Sequence, residues 1–367
     1  MCLDGVGRRL ARDTAALAGC GRVCCGGVLW DQRLADSART AQATSGGGLN
    51  SVTARSQATA TRIAEKRLKS TSRLARSFLL NRYNTAMRVT LFGASGLLGH
   101  ALVPELKNEE LTAPSSADAD IRDAARIREV VRHSRPEWII LTAAYTDVDG
   151  CESNPERAFA VNCEGAANVA RAAREVRSRL MFLSTDYLFD GTKRSPYEAD
   201  DARNPLSVYG KSKARAEEQL LEILPDACIV RTSWLFGAGG PGFPAMILKL
   251  AAERGEISVV DDQRGCPTFT PDLASALVAL CRKSARGIVH ATNVGDCTRY
   301  DFAKEIVRMA GSKTSVQPVS SSKFPRPARR PAYSVLSSAT LDAYGIRMPG
   351  WEDALERYLA GRGTTVA

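Results

Sequence analysis

The chain has 367 residues, of which 44% are hydrophobic and 25% charged, a composition typical of a globular protein with one large domain or two. Its formal net charge is +10, but residues 1–86 hold 14 Lys and Arg against five Asp and Glu, which leaves 36 basic and 35 acidic residues for the remainder. A nearly neutral main body argues against a nucleic-acid-binding surface, so we expect no nucleic-acid partner.

Residues 1–86 lack sustained periodicity and are rich in Gly, Ser, Thr, Ala and Arg, as disordered segments are. Within them, RIAEKRLKSTSRLARSFLLNRY could form a basic amphipathic helix, and the Arg-rich, acid-poor composition is shared by organellar transit peptides. A complete domain pattern begins at Met87. We therefore favour Met87 as the authentic start, with the upstream segment a dispensable tail or a translation artefact.

From Met87 onward, apolar strand patterns alternate with helical patterns. The predicted strands are MRVTLFGA, EWIILTAA, RLMFLST and ACIVRTSWLF, and the helices between them are LLGHALVPELK, DAARIREVVRHS, PERAFAVNCEGAANVARAAREV and VYGKSKARAEEQLLEIL. Continuous apolar strands separated by helices indicate a parallel sheet covered on both faces. We predict an α/β fold with a doubly wound, Rossmann-like parallel sheet over residues 87–236, a fold that frequently binds dinucleotides.

The pattern changes after this point, and residues 237–361 predict a smaller, discontinuous C-terminal lobe that binds substrate. A loop, GAGGPGFP, precedes the helix AMILKLAAERG and the short strand EISVVDD. A helix near 270–284, TPDLASALVALCRKS, is expected to return to the first domain. The Pro-, Ser- and Arg-rich VQPVSSSKFPRPARRPAYS is predicted to be irregular, and WEDALERYLAG to be a final helix.

The ten Cys show no paired C-x-x-C spacing, and the three His are far apart, so no metal site or disulfide framework is indicated. Free, mostly buried thiols in a reducing compartment are favoured, which suggests a cytoplasmic protein. No apolar run approaches the ~20 residues that a membrane helix needs, so no membrane association is expected.

The segment GASGLLG links the first predicted strand to the first helix. Glycines at Gly93, Gly96 and Gly99 allow a sharp turn and close approach of a pyrophosphate, which the helix N-terminus attracts. The G-x-x-G-x-x-G spacing is one residue longer than the usual fingerprint. A strand–helix turn that uses glycine only for packing is the alternative. With the surrounding parallel sheet, the dinucleotide interpretation is favoured, and Ser95, Leu97 and Leu98 join the candidate cofactor site.

The type of nicotinamide cofactor stays open. An acid about 20 residues past the glycines would favour NADH, and an Arg would favour NADPH. The segment 112–116 has neither, and Asp118 and Asp120 lie just beyond it. NADPH and NADH are both retained, with Asp120 and Ile121 as candidate contacts.

Two further segments carry groups for carbonyl chemistry. Thr185 and Asp186 follow the strand RLMFLST, where a hydroxyl can hold a carbonyl oxygen, although Ser, Thr and Asp more often cap helices or form turns there. In YGKSK, Lys213 is four residues after Tyr209 and shares its helical face, whereas Lys211 points away. An ammonium close to a phenol would stabilise the phenolate and lower the pKa of Tyr209. A surface Tyr with two solvated Lys is the alternative.

Taken together, these motifs resemble the extended short-chain dehydrogenase/reductases. The ordered segments STDYLFDG, NPLSVYGKSKARAE, VRTSWLFG, DDQRGCPT and ARRP narrow the resemblance to the dTDP-4-dehydrorhamnose reductases, over about residues 87–361. Residues 1–86 match nothing in that family. The resemblance implies NAD(P)H-dependent reduction of the C4 carbonyl of dTDP-4-dehydro-L-rhamnose, the last step of dTDP-rhamnose synthesis.

The resemblance also implies roles for individual residues. Tyr209 would donate the proton, Lys213 would bind the nicotinamide ribose and lower the pKa of Tyr209, and Thr185 would position the sugar carbonyl. For the remaining residues, it implies that Ala144, Tyr145 and Thr146 line the cofactor, that Asp186 and Trp234 contact the sugar, and that Arg329 and Arg330 lie near the substrate diphosphate.

Some alternatives stay open. The regulatory β subunit of methionine adenosyltransferase shares the fold and the DYLFDG and YGKSK features, but it lacks the Trp that is Trp234 here. Another nucleotide-sugar reductase or epimerase is the second alternative. After the glycine loop stand His100 and Ala101, without the acid that some relatives carry, so the sequence does not support Mg²⁺, and a homodimer stays open.

Overall fold

The structure is a computed structural model that describes residues 86–240 and 242–363. The expectations for the N-terminal tail, including its amphipathic helix, therefore lie outside the described residues. The strands are β1 Arg88–Phe92, β2 Glu110–Thr112, β3 Trp138–Leu141, β4 Arg179–Thr185, β5 Cys228–Thr232, β6 Leu235–Phe236, β7 Glu256–Val260, β8 Arg264–Gly265, β9 Thr268–Phe269, β10 Gly287–His290, β11 Cys297–Thr298 and β12 Ser315–Val319.

The α-helices alternate with these strands. They are α1 Leu97–Glu105, α2 Ala124–Ser134, α3 Val148–Ser153, α4 Pro155–Phe159, α5 Ala166–Val176, α6 Val208–Ile223, α7 Phe243–Glu253, α8 Thr270–Arg282, α9 Arg299–Met309, α10 Ala339–Asp342 and α11 Trp351–Gly363. A π-helix covers Ala160–Gly165, and two 3₁₀ turns cover Asp186–Leu188 and Ser321–Lys323.

Six strands form the main sheet in the order β10-β5-β4-β3-β1-β2, and every neighbouring pair is parallel. The chain winds outward from β1 in both directions, which confirms the predicted doubly wound fold. The strands β3 and β5 are buried at every position, as the apolar sequence of β3 requires, and Arg231 of β5 is accommodated by its ion pair with Glu217. The edge strands β2 and β10 have only three and four residues, and neither was predicted.

Helices cover both faces of this sheet. On one face, Leu102 of α1 and Leu277 of α8 pack with Leu91 of β1 in one apolar cluster. On the other face, α2, α5 and α6 pack against Phe92 and Ile139. Alternate residues of β1 thus face opposite helical layers, as the two-residue period of a strand demands.

A third apolar cluster, separate from the two on the faces of the main sheet, is built from α7, α9, α11 and β7, with Phe302 and Ile306 of α9 fully buried. Here β12 pairs in parallel with β7. The prediction that the segment from Val316 is irregular is therefore wrong for its first four residues. Pro318 cannot donate a backbone hydrogen bond, and it is tolerated because β12 is half of a two-stranded sheet.

The helix predicted over 155–176 is interrupted by the π-helix, which shifts the side chain of Asn162 inward. Asn162 accepts a hydrogen bond from Tyr145 N at 2.7 Å and donates to Tyr145 O and Ser212 Oγ, both at 3.0 Å. One buried amide thereby joins the segment after β3 to α6. π-Helical turns often occur at functional sites, and this one borders the cavity described below.

Within the described parts of the chain, no helix is long and apolar enough to cross a membrane. The six Cys of this region are free and buried, in agreement with the expected thiols. The other four precede residue 86.

Candidate active site

A cavity of about 850 Å³ opens at the carboxyl ends of β1, β3, β4 and β5. Fifteen of the predicted site residues line it: Gly93, Ser95, Gly96, Leu97, Leu98, Gly99, Asp120, Ile121, Ala144, Thr146, Thr185, Asp186, Tyr209, Lys213 and Trp234. Tyr145, Arg329 and Arg330 are not among the lining residues. The position agrees with the rule that ligands of open α/β sheets bind where the strand order reverses, here between β1 and β3.

The glycine loop forms one wall, and its glycines are sterically required. Gly93 has φ +101°, and a Cβ there would lie 2.5 Å from Ala143 N. A Cβ on Gly99 would collide with the carbonyl oxygen of Gly93. The following helix α1 begins at Leu97 with no side-chain cap and no acid in its first turn, so its N-terminal amides remain available to an anion.

Asp120 lies at the far end of the cavity, where Arg122 is already bound to it. Arg122 donates Nε to Oδ1 at 3.0 Å and Nη2 to Oδ2 at 2.5 Å, and these bonds lower the pKa of the Asp120 carboxyl. Arg122 lines the cavity too, although sequence analysis did not single it out.

Tyr145 contributes indirectly. Its ring lies 4.6 Å from the guanidinium carbon of Arg157, an exposed residue that does line the cavity. Asn162 fixes the Tyr145 backbone, as described above. Tyr145 therefore contacts a residue of the cavity wall, Arg157, without lining the cavity itself.

Helix α6 sets Tyr209 and Lys213 along one side of the cavity. Ser207 caps the helix by accepting a hydrogen bond from Gly210 N at 3.2 Å, so the helix begins at Val208 and Tyr209 lies in its first turn. Lys213, one turn later, is only 2% exposed, whereas Lys211 is exposed on the solvent side. The helix geometry thus separates the two lysines as their spacing predicts.

Lys213 is held beneath the cavity floor by two contacts. Its Nζ donates to the carbonyl oxygen of Leu183 at 2.5 Å and lies 4.0 Å from the centre of the Phe182 ring. Burial lowers the pKa of Lys213 to about 7, and the charge of Glu217, one turn further along α6, opposes this shift.

The expected lowering of the Tyr209 pKa is wrong for this structure. Burial raises the pKa of Tyr209 above that of a free phenol, and interaction with the Thr185 hydroxyl opposes the rise only in part. Lys213 is not among the groups that shift the pKa of Tyr209. The phenol therefore keeps its proton at neutral pH.

Two buried hydroxyl groups at the ends of β4 and β5, Ser184 Oγ and Thr232 Oγ1, have no hydrogen-bond partner among the described residues, and Asp186 Oδ2 has no hydrogen bond of ordinary geometry, although the Ser334 hydroxyl interacts with this carboxylate. Thr185 donates to the other carboxylate oxygen of Asp186 at 3.0 Å. Burial raises the pKa of Asp186 to about 6. Since buried polar groups are nearly always paired, this cluster is suited to a polar ligand.

Trp234 has φ +45°, an unusual backbone conformation for a residue with a large side chain. The guanidinium carbon of Arg299 lies 3.5 Å from the centre of its ring. Gly265 also touches the ring, since a Cβ there would lie 2.7 Å from Trp234 Cε2. One face of the indole is thus covered by Arg299, which leaves at most the other face for a sugar.

The arginines of the ARRP segment do not line the cavity, although Arg330 interacts with the lining residue Tyr187 and with the charge of Arg299. Arg329 is exposed, and Arg330 donates Nη1 and Nη2 to the two carboxylate oxygens of Asp149, at 3.1 and 2.9 Å. The cationic residue that sequence analysis missed is Arg299. Its segment, TRYD, carries a capping box in which Thr298 and Asp301 bond reciprocally, and this pattern could have located the start of α9.

Comparison with known proteins agrees with this geometry. The model of the RmlD substrate binding domain family matches residues 87–362. The dTDP-4-dehydrorhamnose reductase of Mycobacterium tuberculosis is 41% identical over 283 residues, 74% of this chain and 92% of that protein. The dTDP-4-keto-6-deoxy-D-glucose reductase of Streptomyces niveus is 41% identical over 248 residues, 66% of this chain and 86% of that protein.

A solved structure agrees equally well. The crystal structure of dTDP-4-dehydrorhamnose reductase from Bacillus anthracis in complex with NADP superposes with a TM-score of 0.74 at 38% identity, and the match covers 76% of this chain and all of that one. With its doubly wound sheet, glycine loop and Tyr–Lys helix at a single cavity, this chain belongs to the RmlD substrate binding domain family.

Proposed function

We propose that the protein is a dTDP-4-dehydrorhamnose reductase, which uses NADPH or NADH to reduce the C4 carbonyl of dTDP-4-dehydro-L-rhamnose to the alcohol of dTDP-L-rhamnose. The observation that carries the proposal is the meeting of Tyr209, Lys213 and Thr185 with the glycine loop at one cavity. The named relatives support the same activity.

The cavity fits a nicotinamide dinucleotide. Gly93 and Gly99 allow close packing of the loop on the backbone of Ala143 and of Gly93 itself, and this packing leaves Gly96 and the uncapped N-terminus of α1 at the cavity, where a pyrophosphate would bind. Asp120, Ile121 and Ala144 would hold the rest of the cofactor, while Lys213 would hold its nicotinamide ribose. When bound, the cofactor supplies the hydride that the carbonyl carbon accepts.

Tyr209 would supply the proton. As the carbonyl carbon gains its hydride, the electron pair of the C=O bond moves to oxygen, and the phenol O–H transfers its proton to that alkoxide. Tyr209 holds its proton at neutral pH, but its raised pKa makes it a weaker acid, so the transfer depends on the greater basicity of the sugar alkoxide. The Thr185 hydroxyl would hold the same oxygen and stabilise its developing charge.

The cluster of unpaired atoms supports a polyhydroxylated substrate. Ser184 Oγ and Thr232 Oγ1, which have no hydrogen-bond partner among the described residues, can bond to sugar hydroxyls. Phe243 and Arg299, from the segment after residue 236, complete the wall near Trp234. This contribution supports residues 237–361 as the substrate-binding lobe.

A second candidate differs in the hexose. The Streptomyces niveus relative is named for a 4-keto-6-deoxy-D-glucose and is also 41% identical. The two candidate substrates share the dTDP group and the C4 ketone and differ in ring stereochemistry. The chain could therefore act on either sugar with the same proton donor.

The test uses the purified full chain with each dTDP-4-dehydro sugar and with NADPH or NADH, following the loss of the reduced cofactor. We expect turnover that depends on the dTDP sugar and is lost in Tyr209→Phe. Folded protein that binds cofactor but oxidises it with neither sugar would sink the reductase proposal and favour a non-catalytic regulatory subunit. Faster turnover of the gluco sugar would reassign the substrate.

A further inference from the structure

We propose that Arg299 is the residue that binds the diphosphate of the nucleotide-sugar substrate, and that Trp234 is the platform that holds Arg299 in position. This inference rests on the proposed function, since it names the group that recognises the anionic part of that substrate.

Arg299 is fixed in the cavity wall by aromatic rings. Its guanidinium carbon lies 3.5 Å from the centre of the Trp234 ring and 5.1 Å from that of Phe243. All three side chains line the cavity. Stacking on a ring fixes the plane of a guanidinium but leaves its N–H groups free at the edge, and these are the groups that grip phosphate oxygens.

The charge of Arg299 has no partner within residues 86–240 and 242–363. In this region no carboxylate forms an ion pair with its guanidinium, and no hydrogen bond uses its side-chain donors. Burial lowers the pKa of Arg299 and so does the like charge of Arg330, while Tyr187, Asp186 and Cys297 oppose this through space. A desolvated cation with five unused donors is costly unless an anion completes it.

The other cations near the cavity are committed or exposed. Arg122 is bound to Asp120, Arg330 to Asp149, and Lys213 to the carbonyl of Leu183. Arg157, the remaining arginine that lines the cavity, is exposed and lies on α4. Among the described cations that line the cavity, Arg299 is therefore the half-buried one whose N–H groups are free to bind an anion.

Its position favours the substrate over the cofactor as the source of the anion. The cofactor pyrophosphate is expected at the glycine loop, which follows β1. Arg299 instead lies with Trp234, which follows β5, and it acts on Asp186, which follows β4. These residues belong to the part of the cavity proposed for the sugar nucleotide.

The test measures binding of dTDP, thymidine and NADPH to the full chain by titration calorimetry, for the wild type, Arg299→Gln, Arg299→Lys and Arg330→Gln. We expect Arg299→Gln to weaken dTDP binding about 10- to 100-fold, the scale of a lost charge-assisted pair, with thymidine and NADPH affinities unchanged. Arg299→Lys should recover part of the loss. Arg330→Gln tests the alternative from sequence and should stay close to the wild type.

Kinetics give a second readout. With the dTDP sugar, Arg299→Gln should raise KM far more than it lowers kcat, because the diphosphate carries the same charge in the ground state and in the transition state. Three results would overturn the inference: wild type that binds no dTDP, equal losses for dTDP and thymidine in Arg299→Gln, or a dTDP loss confined to Arg330→Gln. If Arg299→Gln does not fold, Arg299→Lys against the wild type decides, and undiminished dTDP binding would refute the proposal. A wild type that binds dTDP through Arg299 without turnover would refute only the proposed function.

Discussion

Arg330 clamps the carboxylate of Asp149 with two parallel hydrogen bonds, of 3.1 Å from Nη1 and 2.9 Å from Nη2. The backbone N–H of Ala328 adds a third at 3.2 Å, and the bond from Arg330 lowers the pKa of the Asp149 carboxyl. The pair ties the ARRP segment to α3, 181 positions earlier in the chain. It holds Arg330 beside the cavity, where Arg330 interacts with the lining residue Tyr187 without lining the cavity itself.

We predict that this pair is structural. Asp149→Asn and Arg330→Gln should each lower the free energy of unfolding, and a double-mutant cycle should give a coupling energy of about 1 kcal/mol. The two side chains are 25% and 22% exposed, so solvent screening keeps the value modest. Urea denaturation of the four proteins measures it. Strict additivity of the two losses would show that the bonds contribute nothing.

Much of the fold could be predicted because its buried strands are uninterrupted apolar runs. β1, β3, β4 and β5 and their helices follow from periodicity alone. β2 and β10 were missed because edge strands of three and four residues, ELT and GIVH, are too short to show such a run. β12 was obscured by Pro318, which is usually a strand breaker but is harmless in a two-stranded sheet.

The candidate site, too, could be predicted from the sequence only in part. Tyr209 and Lys213 could be paired from spacing, since both lie on one helix whose start is fixed by the Ser207 cap. The pKa of Tyr209 could not be predicted, because burial, which no local sequence pattern reports, raises it, and Lys213 is not among the groups that shift it. Arg299 was missed for a related reason: its partner Trp234 is 65 residues away in sequence, and only the fold brings them together.

Tyr209→Phe should lower kcat by roughly 10²- to 10⁴-fold, the usual contribution of a positioned general acid. The variant keeps the ring, including its edge-to-face contact with Tyr187, whose ring centre is 6.0 Å away. Cofactor binding should therefore persist. Steady-state kinetics with the dTDP sugar and a cofactor titration measure the two effects. A kcat close to that of the wild type would exclude Tyr209 as the proton donor.

Lys213→Met should reduce kcat/KM by roughly 100-fold, while Lys211→Met should remain within about twofold of the wild type. Both changes remove one ammonium from the same turn of α6, so they form a matched pair. Only Lys213 lines the cavity. Comparable losses in the two variants would contradict the assignment of Lys213, and would point to net charge as the cause.

Asp186→Asn should make the protein more stable relative to the wild type as the pH rises from 4 to 6. The folded pKa of Asp186 is about 6, above its ordinary value of 3.8, so within this window the folded state binds a proton that the unfolded state has lost. Wild-type stability therefore falls by roughly 1 kcal/mol per pH unit through this group, and Asn removes that slope. Denaturation without cofactor or substrate at several pH values checks it. A constant difference between the proteins would mean that the Asp186 pKa is not raised.

The stability advantage of Lys213→Met over the wild type should fall as the pH rises from 7 to 10, opposite in direction to that of Asp186→Asn between pH 4 and 6. The folded pKa of Lys213 is about 7, below its ordinary value of 10.5, so between pH 7 and 10 the unfolded state binds a proton that the folded state does not. Wild-type stability therefore rises with pH in this window, by roughly 1 kcal/mol per unit, and the advantage of Lys213→Met grows as the pH falls from 10 to 7.

The hydrogen bond from Lys213 to Leu183 O is lost in Lys213→Met at every pH. Its absence changes the free energy of unfolding by the same amount at every pH. The diagnostic quantity is therefore the slope of the stability difference against pH. Lys211→Met is the control for the loss of one ammonium, since Lys211 is exposed on the same helix, and the slope of Lys213→Met is measured against it. A Lys213→Met difference with the same slope as that of Lys211→Met would show that the buried ammonium keeps its ordinary pKa. In that case Lys213 would stay charged throughout this pH range, and the penalty for its burial would have to be offset by other groups.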